Sequence, residues 1–160
     1  MTTKSTFLLV LLCILTFKLK SQITISVGTT GDYSTINAAY TSCTAASACI
    51  IEIKSDYIQE ALPITLGTLV NKNSTNNITI RPELGVTNLS FLNTGTENDV
   101  FVLSSANYLT IDGRPGGIGS NDFTIENNQT AKGHALKIEG SCTEINLNYL
   151  SFKGSNQSPD

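Results

Sequence analysis

The chain has 160 residues, with 10 basic and 13 acidic side chains and a formal net charge of −3. Charged residues make up only 14%, there is no Trp, and hydrophobic residues reach 40%. This composition, rich in Ser, Thr, Asn and Gly, suits an exported β domain and argues against nucleic acid or an anionic membrane as partner, since both demand clustered cations.

Lys4 followed by the uncharged run "FLLVLLCILTF" (Phe7 to Phe17) predicts a signal peptide over residues 1–21, ending at the small residue Ser21. The run is far shorter than the roughly 20 residues of a spanning helix, so no membrane span is expected after cleavage. Cleavage leaves 139 residues with seven bases against thirteen acids, enough chain for one domain with a real core. Residues 22–160 are read as the N-terminal part of such a domain. The end "SNQSPD" follows a strand directly, and a longer protein is expected.

In "VGTTGDYSTINAAY" (27–40) a short strand leads through Gly31, Asp32 and Tyr33 into helical spacing. Ile36, Ala39, Tyr40 and Cys43 fall at i, i+3, i+4 and i+7, one apolar stripe, with Ser34 as the expected N-cap. "CTAASAC" holds too few further ligands for zinc. In an exported chain it favours a Cys43–Cys49 disulfide, with two buried free thiols as the alternative. Cys142 has no evident partner.

Strand-like segments follow: "CIIEIK" (49–54), "NITIRP" with Ile78 and Ile80, "LSFLN" with Leu89 and Phe91, and "VFVLSS" with Phe101 and Leu103. Four five-residue segments then recur, "LTIDG", "FTIEN", "LKIEG" and "LSFKG", starting at residues 109, 123, 136 and 150. Each alternates apolar and polar residues and ends at Gly113, Asn127, Gly140 or Gly154. Those residue types tolerate a left-handed backbone and so predict sharp corners. Two-residue hairpin signals are lacking. The spacing predicts an all-β fold, a right-handed parallel β-helix in which "LTIDG" and "LSFKG" lie one turn, 41 residues, apart. A sandwich with coincidental spacing is the alternative. The first coil of such a helix exposes an apolar cross-section, and the short amphipathic helix is expected to cap it.

Gly31, Asp32, Tyr33, Thr35 and Ile36, with Tyr57 and Glu60 further on, resemble the N-terminus of pectin methylesterases within the pectin-lyase-like superfamily. Asp56 stands where that family has Gly. The resemblance covers about residues 25–65 and implies the β-helix fold. It says little about activity, because in the family these residues build the cap.

No catalytic constellation is apparent. Asp122 and His134 read as turn residues before strands, and Arg81 and Arg114 as loop residues next to prolines. Asp112, Glu126 and Glu139 are each the fourth residue of a repeat segment, pointing outward into solvent rather than grouping around calcium. No catalytic, cofactor-binding or metal-ligating residue is assigned. Tyr108 and Tyr149, each just before a repeat segment, are candidate stacking platforms for carbohydrate, with a packing role left open. The expected function is a non-catalytic β-helix module of a secreted or cell-surface protein, engaged in adhesion or contact with polysaccharide or cell-surface glycan. The alternative is the N-terminal portion of a carbohydrate esterase or polysaccharide lyase whose catalytic coils lie beyond residue 160.

Overall fold

A computed structural model describes residues 22–95, 99–129 and 133–154; the predicted signal segment 1–21 lies outside the described residues. The elements are β1 (Ile23–Val27), α1 (Ile36–Ser42), β2 (Cys49–Ile53), β3 (Ile64–Leu66), β4 (Ile78–Pro82), β5 (Leu89–Asn93), β6 (Phe101–Ser104), β7 (Asn107–Asp112), β8 (Phe123–Asn127), β9 (Leu136–Glu139), β10 (Thr143–Asn148) and β11 (Leu150–Gly154). The regular elements are thus almost all strands, and every strand pairing is parallel.

The strands form three sheets, ordered β1-β2-β4-β7-β10, β5-β8-β11 and β3-β6-β9. From β4 onward the chain visits the first, second and third sheet in strict rotation. In the first sheet Cys49 pairs with Ile78, Ile78 with Leu109 and Leu109 with Ile145. In the second, Leu89 pairs with Phe123 and Phe123 with Leu150. One circuit therefore takes between 26 (Ile23 to Cys49) and 37 residues (Ile64 to Phe101). Loops absorb the difference, because a slip of one residue would turn each inward apolar row to solvent.

These pairings correct the predicted stacking. "LTIDG" belongs to β7 in the first sheet and "LSFKG" to β11 in the second, where it lies on "FTIEN". The spacing of about 14 residues carries the chain from β7 to β8 and from β8 to β9, one sheet to the next, and from β9 past β10 to β11; in no case is it a whole turn.

The inward rows make one core. Ile51, Ile53, Ile78, Ile80, Leu109, Ile111, Phe91, Phe101, Phe123 and Ile125 are fully or almost fully buried. Phe91 sits centrally, with its ring centroid 5.0 Å from those of Phe101 and Phe123 and 5.6 Å from that of Tyr57. At about 1.5–3 kcal/mol for each fully buried side chain, this row is the main source of cohesion. The same rows continue onto β9 and β11, where Ile138 and Phe152 are exposed.

Helix α1 closes one end, packing on β1, β2 and β3. Its predicted stripe is the buried one: Ile36, Ala39, Tyr40 and Cys43 are all inside. The Tyr40 hydroxyl donates to the Gly67 carbonyl at 2.6 Å, and burial pushes its pKa up to about 12. The N-cap is Thr35 rather than Ser34, because Thr35 is extended and its Oγ1 accepts from the Ala38 amide at 3.2 Å. The Cys43–Cys49 disulfide joins the end of α1 to the start of β2, while Cys142 is a free thiol. Tyr33 bridges to Val27 and packs against the core. At Gly31 any side chain would press on the backbone of Ser26 and Gly28, with Ser26 O and Gly28 N each 2.8 Å from a Cβ.

Of the four residues read as left-handed corners, only Gly140 has positive φ, at 71°. Its partner on the preceding circuit is Ser105, also left-handed at 54°. Asn127 turns the chain by other means: its Oδ1 accepts from the Gln129 amide at 3.0 Å, as Asn93 Oδ1 does from Gly95 at 3.4 Å one circuit earlier. An Asx turn changes direction with ordinary φ, so the left-handed region is not needed. Gly113 is required for space instead, since a Cβ there would run into the Tyr149 carbonyl. Gly154 ends β11 with neither positive φ nor, among the described residues, a close neighbour.

Candidate functional site

A groove of about 140 Å³ opens on the outer face of the first sheet, lined by Ser74, Asn77, Tyr108, Thr110, Glu144 and Asn146. Alternation explains its floor. Leu109 and Ile111 face inward, so Tyr108 and Thr110 face outward; Ile145 and Leu147 likewise leave Glu144 and Asn146 outward. Thr110 pairs with Asn146 in the β7–β10 register, so the four side chains form a two-by-two array on adjacent strands.

Tyr108 and Glu144 face each other across that pair, between the matched residues Asn107–Thr143 and Leu109–Ile145. Both have left-handed backbone, with φ of 50° and 52°. Non-glycine residues in this region cost on the order of 1–3 kcal/mol each and concentrate where side-chain aim matters.

The remaining wall comes from the loop before β4. Asn73 Oδ1 accepts from the Thr75 amide (2.9 Å), the Thr75 hydroxyl (2.7 Å) and the Asn76 amide (3.0 Å), folding a tight turn that carries Ser74. The Asn77 carbonyl accepts from the Cys49 amide at 2.9 Å and fixes that residue to the neighbouring circuit. Lys72, buried in the same loop, donates to the carbonyls of Ala45 and Ser47 at 3.2 Å each, and burial lowers its pKa. No cation lines the groove.

Among the described residues, none of the six lining side chains has a hydrogen-bond or ion-pair partner in the protein. The arrangement offers two amides, two hydroxyls, one carboxylate and one phenol around a ring. A polyhydroxylated ligand is matched by such a set, with donors and acceptors for its hydroxyls and a π face for its C–H groups.

Of the two tyrosines read as stacking platforms, only Tyr108 lies here. Tyr149 stands at the other end of β10, at the turn into β11, where the Arg114 guanidinium lies 4.2 Å from its ring centroid. The two rings do not form a ladder, because the segments they precede belong to different sheets. Arg114 is held by Asp112 at 2.6 Å, and Arg81 by Glu52 at 2.7 Å. Burial works to raise the Asp112 pKa, but the hydrogen bonds and charge of Arg114, with the charge of Arg81, leave it below its ordinary value. Glu126 faces Lys153 at 3.9 Å and Glu139 pairs with Lys137 at 2.8 Å. Each repeat-segment acid thus has its own cation, and among the described residues no three potential ligands group around a metal site.

His134 lies two residues before β9. Its amide donates to Asp99 Oδ1 at 2.7 Å and its Nδ1 lies 2.8 Å from the same oxygen. No helix of the described residues is long and apolar enough to cross a membrane.

Sequence reasoning missed Ser74, Asn77, Thr110, Glu144 and Asn146. The available signal was the alternation in "TEINLN", which marks β10 as a strand able to lie beside "NYLTID". No protein-family model, no curated protein and no solved structure matches the chain.

Proposed function

We propose that this chain is a right-handed parallel β-helix module of an exported protein, akin to the pectin-lyase-like superfamily, that contacts polysaccharide or cell-surface glycan without transforming it. Three parallel sheets visited in rotation from β4 onward, with a helix packed on β1, β2 and β3 at one end, support the fold reading. A disulfide within residues 43–49 supports export, since such bridges persist in oxidising compartments.

The observation that carries the functional reading is the groove of Tyr108, Glu144 and their neighbours, whose polar side chains have no bonding partner among the described residues. Its volume of about 140 Å³ is well below the roughly 300–1,000 Å³ of enclosing small-molecule pockets. It would engage one unit of a longer chain and leave the rest in solvent. Glu144 is the only carboxylate in the lining, whereas glycoside hydrolysis needs an acid and a second carboxylate facing it.

The test is titration against a panel of neutral, amino and acidic oligosaccharides, followed by calorimetry or by chemical shifts of the Tyr108 ring. Binding to at least one class is expected. Tyr108→Ala should weaken it by roughly tenfold, the size of effect of a buried aromatic anchor. Absence of binding to every class would remove the reading.

A further inference from the structure

We propose that the groove selects glycan units bearing a free amino group over neutral sugars and, most strongly, over uronates. The inference rests on the glycan reading just given and adds the substrate class.

The charge pattern of the lining carries it. Glu144 is exposed, has no ion-pair partner among the described residues, and is the only charged side chain facing the groove. The nearest loop lysine by sequence, Lys72, is turned inward onto the carbonyls of Ala45 and Ser47 and is buried. Every other acid of the first-sheet face already has its cation: Glu52 has Arg81 and Asp112 has Arg114. A ligand carboxylate would therefore approach Glu144 with nothing to neutralise either group. A ligand ammonium would supply the counter-charge that Glu144, alone of the acids on the first-sheet strands, lacks among the described residues. Its backbone and that of Tyr108 opposite share a left-handed geometry that breaks the regular ladder at this point. The Asn77 and Asn146 amides and the Ser74 and Thr110 hydroxyls present donors and acceptors for ring hydroxyls of any sugar. They confer affinity for glycan in general, and Glu144 confers the choice.

The experiment uses three short probes of equal length, a β-linked glucosamine trimer, a glucose trimer and a galacturonic acid trimer. They are titrated into the chain with its Cys43–Cys49 disulfide formed, at a pH where the amines are charged. The glucosamine trimer should bind roughly fivefold or more tightly than the glucose trimer at low salt, as one exposed charge pair allows, and the galacturonate trimer most weakly. Added salt should narrow the spread. Glu144→Gln, which keeps the size of the side chain, should bring the three affinities together while leaving the melting temperature unchanged. Galacturonate binding as tightly as glucosamine would overturn the inference and leave the glycan reading standing. Retention of the amino-sugar preference in Glu144→Gln would overturn it as well, assigning the preference to general surface acidity. If no trimer binds, it is the glycan reading itself that fails.

Discussion

The turn beneath the cap and the groove on the first sheet are both built from Ser, Thr, Asn, Tyr and acids, yet they treat those side chains in opposite ways. In the turn most of the polar groups are bound to the protein, Asp56 Oδ1 being buried without a partner among the described residues. Glu60 accepts from the Ile36 and Asn37 amides at the start of α1, at 2.6 and 3.4 Å, and from the Tyr57 hydroxyl at 3.0 Å. Asp56 Oδ2 accepts from both Thr29 and Thr30, and Asp32 accepts from the amide and hydroxyl of Ser26. In the groove the same chemistry faces outward without partners among the described residues. Polar residues that answer the backbone's unpaired donors are structure; polar residues left unanswered in a concave place are available to a ligand. Composition alone does not separate the two.

The comparison breaks most visibly at Glu60. Its carboxylate answers amides that the first turn of α1 leaves without helical partners, and a hydrogen bond to a charged group contributes about 1.5–3 kcal/mol. Glu60→Ala should cost on the order of 2–3 kcal/mol in a denaturant melt. Glu60→Gln, which still accepts, should cost less. Neither should change oligosaccharide affinity in the groove. Equal losses for the two variants would mean that side-chain packing, not capping, is what Glu60 contributes.

A smaller effect is expected from acid. The hydrogen bonds from Thr30 and Thr29 hold the Asp56 carboxyl below its ordinary value, and those from Ser26 do the same for Asp32. A carboxyl whose pKa is depressed in the folded state stabilises the fold above its unfolded pKa, and that contribution disappears as pH falls through the folded value. The stability of the cap should therefore be constant near neutrality and decline once pH drops below the ordinary carboxylate value of 3.8. Asp56→Asn should start lower at neutral pH, and its curve should converge with the parent's in acid. Melts that stay a fixed distance apart throughout that range would show that Asp56 acts by shape and not by charge.

Much of the fold was legible because it depends on local alternation. The inward residues of β4, β7, β8 and β9 stand two apart in the sequence, the stripe of α1 follows helical spacing, and the short "CTAASAC" loop limits what its cysteines can do. What was not legible was which strands touch. The interval of about 14 residues between repeat segments is part of the way around the circuit, whereas stacking follows intervals of 26 to 37 residues that vary with each loop. The groove inherits that difficulty. Ser74 and Asn77, Tyr108 and Thr110, and Glu144 and Asn146 are three separate pairs in sequence, and only the registers of β4 on β7 and β7 on β10 bring them together. Tyr108 was visible by its ring, whereas nothing in the sequence singled out Glu144.

The finest test of the contrast is Glu144→Gly. Left-handed backbone costs a non-glycine residue roughly 1–2 kcal/mol, and glycine returns some of that through the greater freedom of the unfolded chain, roughly 0.5–1 kcal/mol. If the Glu144 side chain does nothing for the fold, glycine should leave the protein more stable by about 0.5–1 kcal/mol, the difference between those two terms. That corresponds to a rise of a few degrees in melting temperature for a domain of this size. The same variant should lose its preference between charged sugars, because the carboxylate is gone. Asp56→Gly, at a position where the side chain is bound by two threonines, should move the melting temperature the other way. A fall in melting temperature for Glu144→Gly as well would mean that the groove's carboxylate supports the structure as Asp56 does, and the distinction between the two regions would collapse at its most exposed residue.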